Sequence, residues 1–155
     1  LGAKADDKLG LGVVTNIAKS KDAGEKDGLA QAYSSYAVST FDKDGKITSV
    51  VIDASQTNVN FSTDGKITSD LSAENKTKLE LGADYGMIKN SGIGKEWNEQ
   101  IESFCKYVTG KTADEVKGIA VGEDGKATDS DLTASITVSL GDYIEVIQKA
   151  NSNAK

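Results

Sequence analysis

At 155 residues and a net charge of −6, the chain has the size of one domain, and all 18 of its basic residues are lysine. It has no histidine, no arginine and one cysteine, which excludes Ser-His-Asp and Cys-His nucleophile chemistry, histidine-containing metal sites and an internal disulfide. An acidic chain without arginine also lacks the positive footprint that nucleic acid or an anionic lipid surface requires.

Residues 1–10 are polar and read as a linker or tether remnant, with a single α+β domain over residues 11–155. The start at Leu1 is read equally as the trace of a removed export signal or as an arbitrary boundary. No run reaches the roughly 18 apolar residues of a membrane span. Leu11–Ala18 is rich in β-branched residues and predicts a strand, followed by a charged loop over 19–28. Leu29–Phe41 is the longest strand candidate; neither of its faces is cleanly apolar. The DKDGK turn at 42–46 predicts a hairpin, because Asp-Gly supplies the positive φ that a tight turn needs. Ile47–Asp53 returns, and Val59–Phe61 and Lys66–Thr68 flank a second turn at 62–66. These segments predict an antiparallel meander of four or five strands.

The DGK phrase recurs at 44–46, 64–66 and 124–126. Its acid spacing does not match a calcium loop, so it reads as repeated turn chemistry. Ser72–Leu81 predicts a short helix, with Ser72 as its cap and Gly82 at its end. Lys95–Thr109 is the main helix, with Trp97, Ile101, Phe104 and Val108 forming one apolar stripe and Cys105 beside it as an inert buried thiol. Thr112 and Glu115 form a capping box that opens a third helix, 112–117. Ile119–Val121 suits a short strand. Val138–Ala150 predicts a closing helix docked on the sheet. The fold class is therefore α+β, an antiparallel meander packed on one side by three or four helices from the second half.

No catalytic constellation stands out. The acid pairs Glu96/Glu99, Asp114/Glu115, Glu123/Asp124 and Asp129/Asp131 read as solvated surface. The connection before the main helix, Gly86–Gly94, is the segment without a packing reason and the first place to look for a pocket. Tyr85, Met87, Gly94 and Trp97 are its candidate binding residues.

Three phrases carry a resemblance: YGM at 85–87, GIGKEWNEQ at 92–100 and YVTGKTADEVKGI at 107–119. With the stretches at 29–56 and 131–144, the chain from about residue 11 onward resembles the FMN-binding-domain or major-membrane-immunogen proteins, small surface lipoproteins of clostridial-type Gram-positive bacteria. The resemblance implies an exported protein tethered by lipid to the outer face of the cell membrane. Its partner would be a small ligand or a surface protein, with no nucleic acid. It also implies a flavin motif, D-x-x-S/T-G-A-T, with FMN esterified to the last Thr. On this chain Asp131 and Thr137 match its ends, while Ala134, Ser135 and Ile136 depart from it. The expectation is a non-enzymatic binding or interaction module without a cofactor. An FMN-carrying electron-transfer domain, with Asp131 and Thr137 at its site, is the alternative.

Overall fold

The computed structural model describes residues 2–155. Three antiparallel strands form one sheet in the order of the chain: β1 (Lys8–Asn16), β2 (Gly28–Phe41) and β3 (Ile47–Phe61). β1 begins three residues earlier than the apolar run of the sequence suggests. The hairpin turn is as expected: Gly45 takes φ +75°, and the Asp42 carboxylate accepts the N–H groups of Asp44 and Lys46, both at 2.9 Å.

The sheet has three strands, not four or five. β3 runs unbroken through the polar run Ser55–Asn58, because those residues keep strand register with β2, Gln56 opposite Tyr33 and Asn58 opposite Gln31. Past Phe61 the chain makes only an isolated bridge to Ile67, and the Ile119–Val121 segment only one from Val121 to Ala127.

Five helical segments follow: α1 (Lys78–Leu81), α2 (Trp97–Val108), α3 (Ala113–Lys117), α4 (Ser130–Thr133) and α5 (Gly141–Ser152). The fold is α+β, a meander with its helices packed on one side. α1 starts at Thr77, not Ser72. Thr77 and Glu80 satisfy each other's amides in a capping box, at 2.7 and 3.3 Å, whereas Ser72 is engaged in a turn on the Asp70 carboxylate. α2 and α3 stand where the apolar stripe and the Thr112 box predict them. α4 is an additional turn, capped by the Asp129 carboxylate on the Asp131 amide.

The register explains why α5 can lie on the sheet. Successive rows across the covered face read Gly10–Ser39–Val50, Gly12–Ala37–Ile52 and Val14–Ser35–Ala54. A Cβ on Gly10 would stand 1.9 Å from the Ala150 carbonyl oxygen, and one on Gly12 would stand 2.0 Å from that of Val146. The LGLG sequence is thus a docking groove in which the helix backbone touches the strand backbone. Tyr143, Val146, Ile147 and Ala150 of α5 are buried there with Phe41, Ile47, Ile52, Trp97, Ile101 and Phe104.

Candidate functional site

Beyond the end of α5, the same face of the sheet changes character. Its next row is Asn16–Tyr33–Gln56, and the one after pairs Gln31 with Asn58. Asn16, Gln31, Tyr33 and Gln56 floor a groove of about 400 Å³, walled by Lys78, Tyr85, Met87, Trp97, Val138, Asp142 and Tyr143. A space of this size suits a small organic molecule.

Lys78 is the central residue. The Thr77–Glu80 box and a 3.1 Å bond from the Leu79 amide to Asp53 Oδ1 pin its single helical turn to β3. Only 6% of the residue is exposed. Its Nζ lies 4.8, 4.6 and 5.2 Å from the ring centres of Tyr33, Tyr85 and Trp97. The ammonium is therefore caged by aromatic faces, which attract a cation. Among the described residues its one hydrogen bond is to Tyr33 Oη, 3.0 Å away, and no carboxylate forms an ion pair with it, although the charge of Asp53 acts in its favour. Burial, reinforced by the charge of Lys19, lowers its pKa to about 8.

The bond continues inward. Tyr33 Oη lies 2.9 Å from Tyr143 Oη, which accepts from Trp97 Nε1 at 3.0 Å. The Trp97 and Tyr143 rings meet edge to face at 6.1 Å. Ammonium and indole groups donate and never accept. The four-atom chain therefore has donors at both ends, and its two hydroxyls share only one bond. One phenol proton and two ammonium protons are left over. Burial raises the pKa of both phenols, that of Tyr33 further through its neighbour Tyr143, so both protons stay on at neutral pH. The cluster is rich in donors; the carboxylate on the groove wall, Asp142, accepts from Asn16 Nδ2 at 3.0 Å and is not hydrogen-bonded to the ammonium or the phenols.

The segment before α2 has a structural reason after all. The buried Glu96 carboxylate accepts the amides of Met87 and Ile88, at 2.8 and 3.0 Å, and its own amide donates to Glu99 Oε2 at 2.8 Å. Glu96 is thus not a solvated surface acid. It ties a 3₁₀ turn, Met87–Asn90, to the start of α2 and sets Tyr85 and Met87 on the groove wall. Gly86 makes the corner with φ +72°.

Of the six residues singled out in the sequence, Tyr85, Met87 and Trp97 line this groove. Gly94 is exposed at a turn, Asp131 is exposed in α4, and neither reaches it. Thr137 is half-buried and bound to the buried Gln100, whose Oε1 accepts its amide at 2.8 Å and its hydroxyl at 3.2 Å. Gln100 Nε2 reaches Ser91 Oγ and the Lys95 carbonyl. The Thr137 hydroxyl is thus committed to a strut between α2 and the irregular 135–139 segment, and the residues there do not fit a phosphoester to FMN. Cys105 lies far from any such chemistry: burial pushes its thiol up to about 11.

Lys78, Tyr33 and Tyr143 are the residues that sequence reasoning misses. The signal for Lys78 was present as T-K-L-E, a capping box that places the lysine at the first helical position. Among the described residues no cluster of three or more acids or thiols could hold a metal, and no helix is long and apolar enough to cross a membrane. Comparison of the chain with family models, curated proteins and solved structures finds no match.

Proposed function

We propose that the domain is a binding module for a small organic molecule carrying an acceptor group such as a carboxylate, held in the groove between the sheet and α1, α2 and α5. The observation that supports this is the surplus of donors: a caged ammonium and a phenol chain, buried, with more protons to donate than the chain itself accepts. Such a cluster gains most from a ligand that accepts two or three hydrogen bonds, since buried charge is stabilised by a paired and hydrogen-bonded partner. The aromatic walls supply area for an apolar body. The resemblance to surface lipoproteins supports a location outside the cell for this module, with a lipid tether at the outer face of the membrane.

Trp97 is the only tryptophan, so its indole N–H gives one resonance and reports on the site. Titration with small aromatic carboxylates is expected to shift that resonance. The Lys78→Met variant is expected to weaken binding by about tenfold or more, the loss of one charge-assisted contact. An unshifted indole resonance across neutral, cationic and anionic probes would remove this reading.

A further inference from the structure

Lys78 has a second capacity beyond ion pairing. Its amine is fixed in place by a one-turn helix pinned at both Thr77 and Asp53, and its end faces an open groove. Among the described residues no carboxylate forms an ion pair with it, and the charge of Asp53 only partly offsets its burial. A hydroxyl that stays protonated lies 3.0 Å away, in a chain with one proton to spare. Surface lysines share none of these features together. Fixed amine, adjacent phenol and aromatic walls are what a carbonyl condensation needs.

We propose that Lys78 is a carbonyl-trapping amine, which condenses reversibly with an aldehyde or 2-oxo acid held in the groove to form a protonated imine. The inference rests on the groove being a ligand site. The neutral Nζ adds to the carbonyl carbon, the C=O π pair moves to oxygen as the Nζ–C bond forms, and one Nζ proton follows it to give a carbinolamine. The spare phenol proton of the Tyr33–Tyr143 pair passes to the carbinolamine oxygen, the C–O bond breaks and one water leaves. Nζ keeps one hydrogen and the C=N bond carries the positive charge, and the proton lent by the phenol is restored from solvent. No oxidant or reductant takes part. Two features favour the product. The iminium is itself a cation, so the rings of Tyr33, Tyr85 and Trp97 that stabilise the ammonium go on stabilising it. A ligand carboxylate can meanwhile meet Lys19 at the groove. The lowered basicity of Lys78 adds free amine at neutral pH, on the order of a hundredfold over an ordinary lysine.

The test uses 4-formylbenzoate as the probe, with 4-methylbenzoate as its counterpart without a carbonyl. The folded chain is treated with 4-formylbenzoate at pH 7.5, reduced with borohydride, and its adducts are mapped by peptide mass. One adduct at Lys78 is expected, at about tenfold or more over any of the other lysines. It should be suppressed by excess 4-methylbenzoate and by unfolding the chain in urea before labelling. Lys78→Arg should lose the adduct yet still shift the Trp97 indole resonance with 4-methylbenzoate, which separates trapping from folding and from anion binding. If 4-methylbenzoate shifts the indole resonance of the native protein while the adduct spreads evenly over surface lysines, the carbonyl-trapping role is overturned and the binding site stands. If neither probe moves that resonance and no Lys78 adduct forms, both fall.

Discussion

Burial moves the Lys78 ammonium from an ordinary pKa of 10.5 to about 8. Between those two values the unfolded chain holds a proton that the folded chain has released. Stability therefore rises with pH across that window; below about pH 8 this group adds no pH dependence, and its full cost to the fold remains. The phenols act in the opposite sense. Tyr33, Tyr85 and Tyr143 all have their pKa raised by burial, so above about pH 10 the unfolded chain loses protons that the folded one keeps, and stability falls. Urea midpoints should thus climb from pH 7.5 to about 9.5, by about 1–2 kcal/mol, and drop beyond. Lys78→Met should flatten the climb. At pH 7 it should leave stability unchanged or raise it by about 1 kcal/mol, since an unpaired buried charge gives way to an isosteric apolar side chain. A wild-type midpoint that falls between pH 7.5 and 9.5 would mean that the cage holds the ammonium more strongly than burial opposes it.

At the scale of elements, the sequence was legible where one local rule decided the outcome. The Trp97-to-Val108 stripe and the Thr112–Glu115 box both became helices because periodicity and capping agreed. The same box at Thr77–Glu80 went unread, and with it the position of Lys78, because Ser72 offered an earlier start and only tertiary structure shows Ser72 occupied by Asp70. The polar run Ser55–Asn58 hides the continuity of β3 in the sequence, although strand register tolerates polar residues wherever one face is wet. A closing helix docked on the sheet is legible in Val138–Ala150, but its seat is not: LGLG looks like a weak strand until a helix backbone is laid across it. That contact supports a prediction. Gly12→Val should cost about 2–4 kcal/mol in urea unfolding, since its Cβ would collide with the Val146 carbonyl 2.0 Å away. Gly92→Ala, where nothing lies within 4 Å of the added carbon and φ is not positive, should change stability by less than about 1 kcal/mol. Equal effects at the two sites would show that α5 does not seat on β1 as described.

For the whole molecule, the sheet inverts the usual allocation of polarity. Its uncovered face carries the exposed row Leu11–Val38–Val51, flanked by Leu9 and Val13, while the covered face of β2 carries Gln31, Ser35 and Ser39. This is why neither face of β2 looks apolar in the sequence. Small residues were needed inside so that α5 could approach, and polar ones so that the groove has a floor. The molecule therefore depends on its last helix. α5 covers β1 and β2, its Tyr143 completes the chain from Lys78 to Trp97, and beyond it Lys155 exchanges backbone hydrogen bonds with Leu9 on the edge of β1, at 3.1 and 3.2 Å. Removing residues 141–155 would expose partners of Tyr143, Val146 and Ile147, all buried to at least 96%. At about 1.5–3 kcal/mol for each large side chain, the loss is comparable to the whole stability of a domain, 5–15 kcal/mol as a rough range. The shortened chain should show no cooperative urea transition and no near-ultraviolet circular dichroism from Trp97, whose indole partner is gone. A sharp transition in that variant would instead show that the sheet and α2 form a core sufficient by themselves, with α5 serving the groove alone.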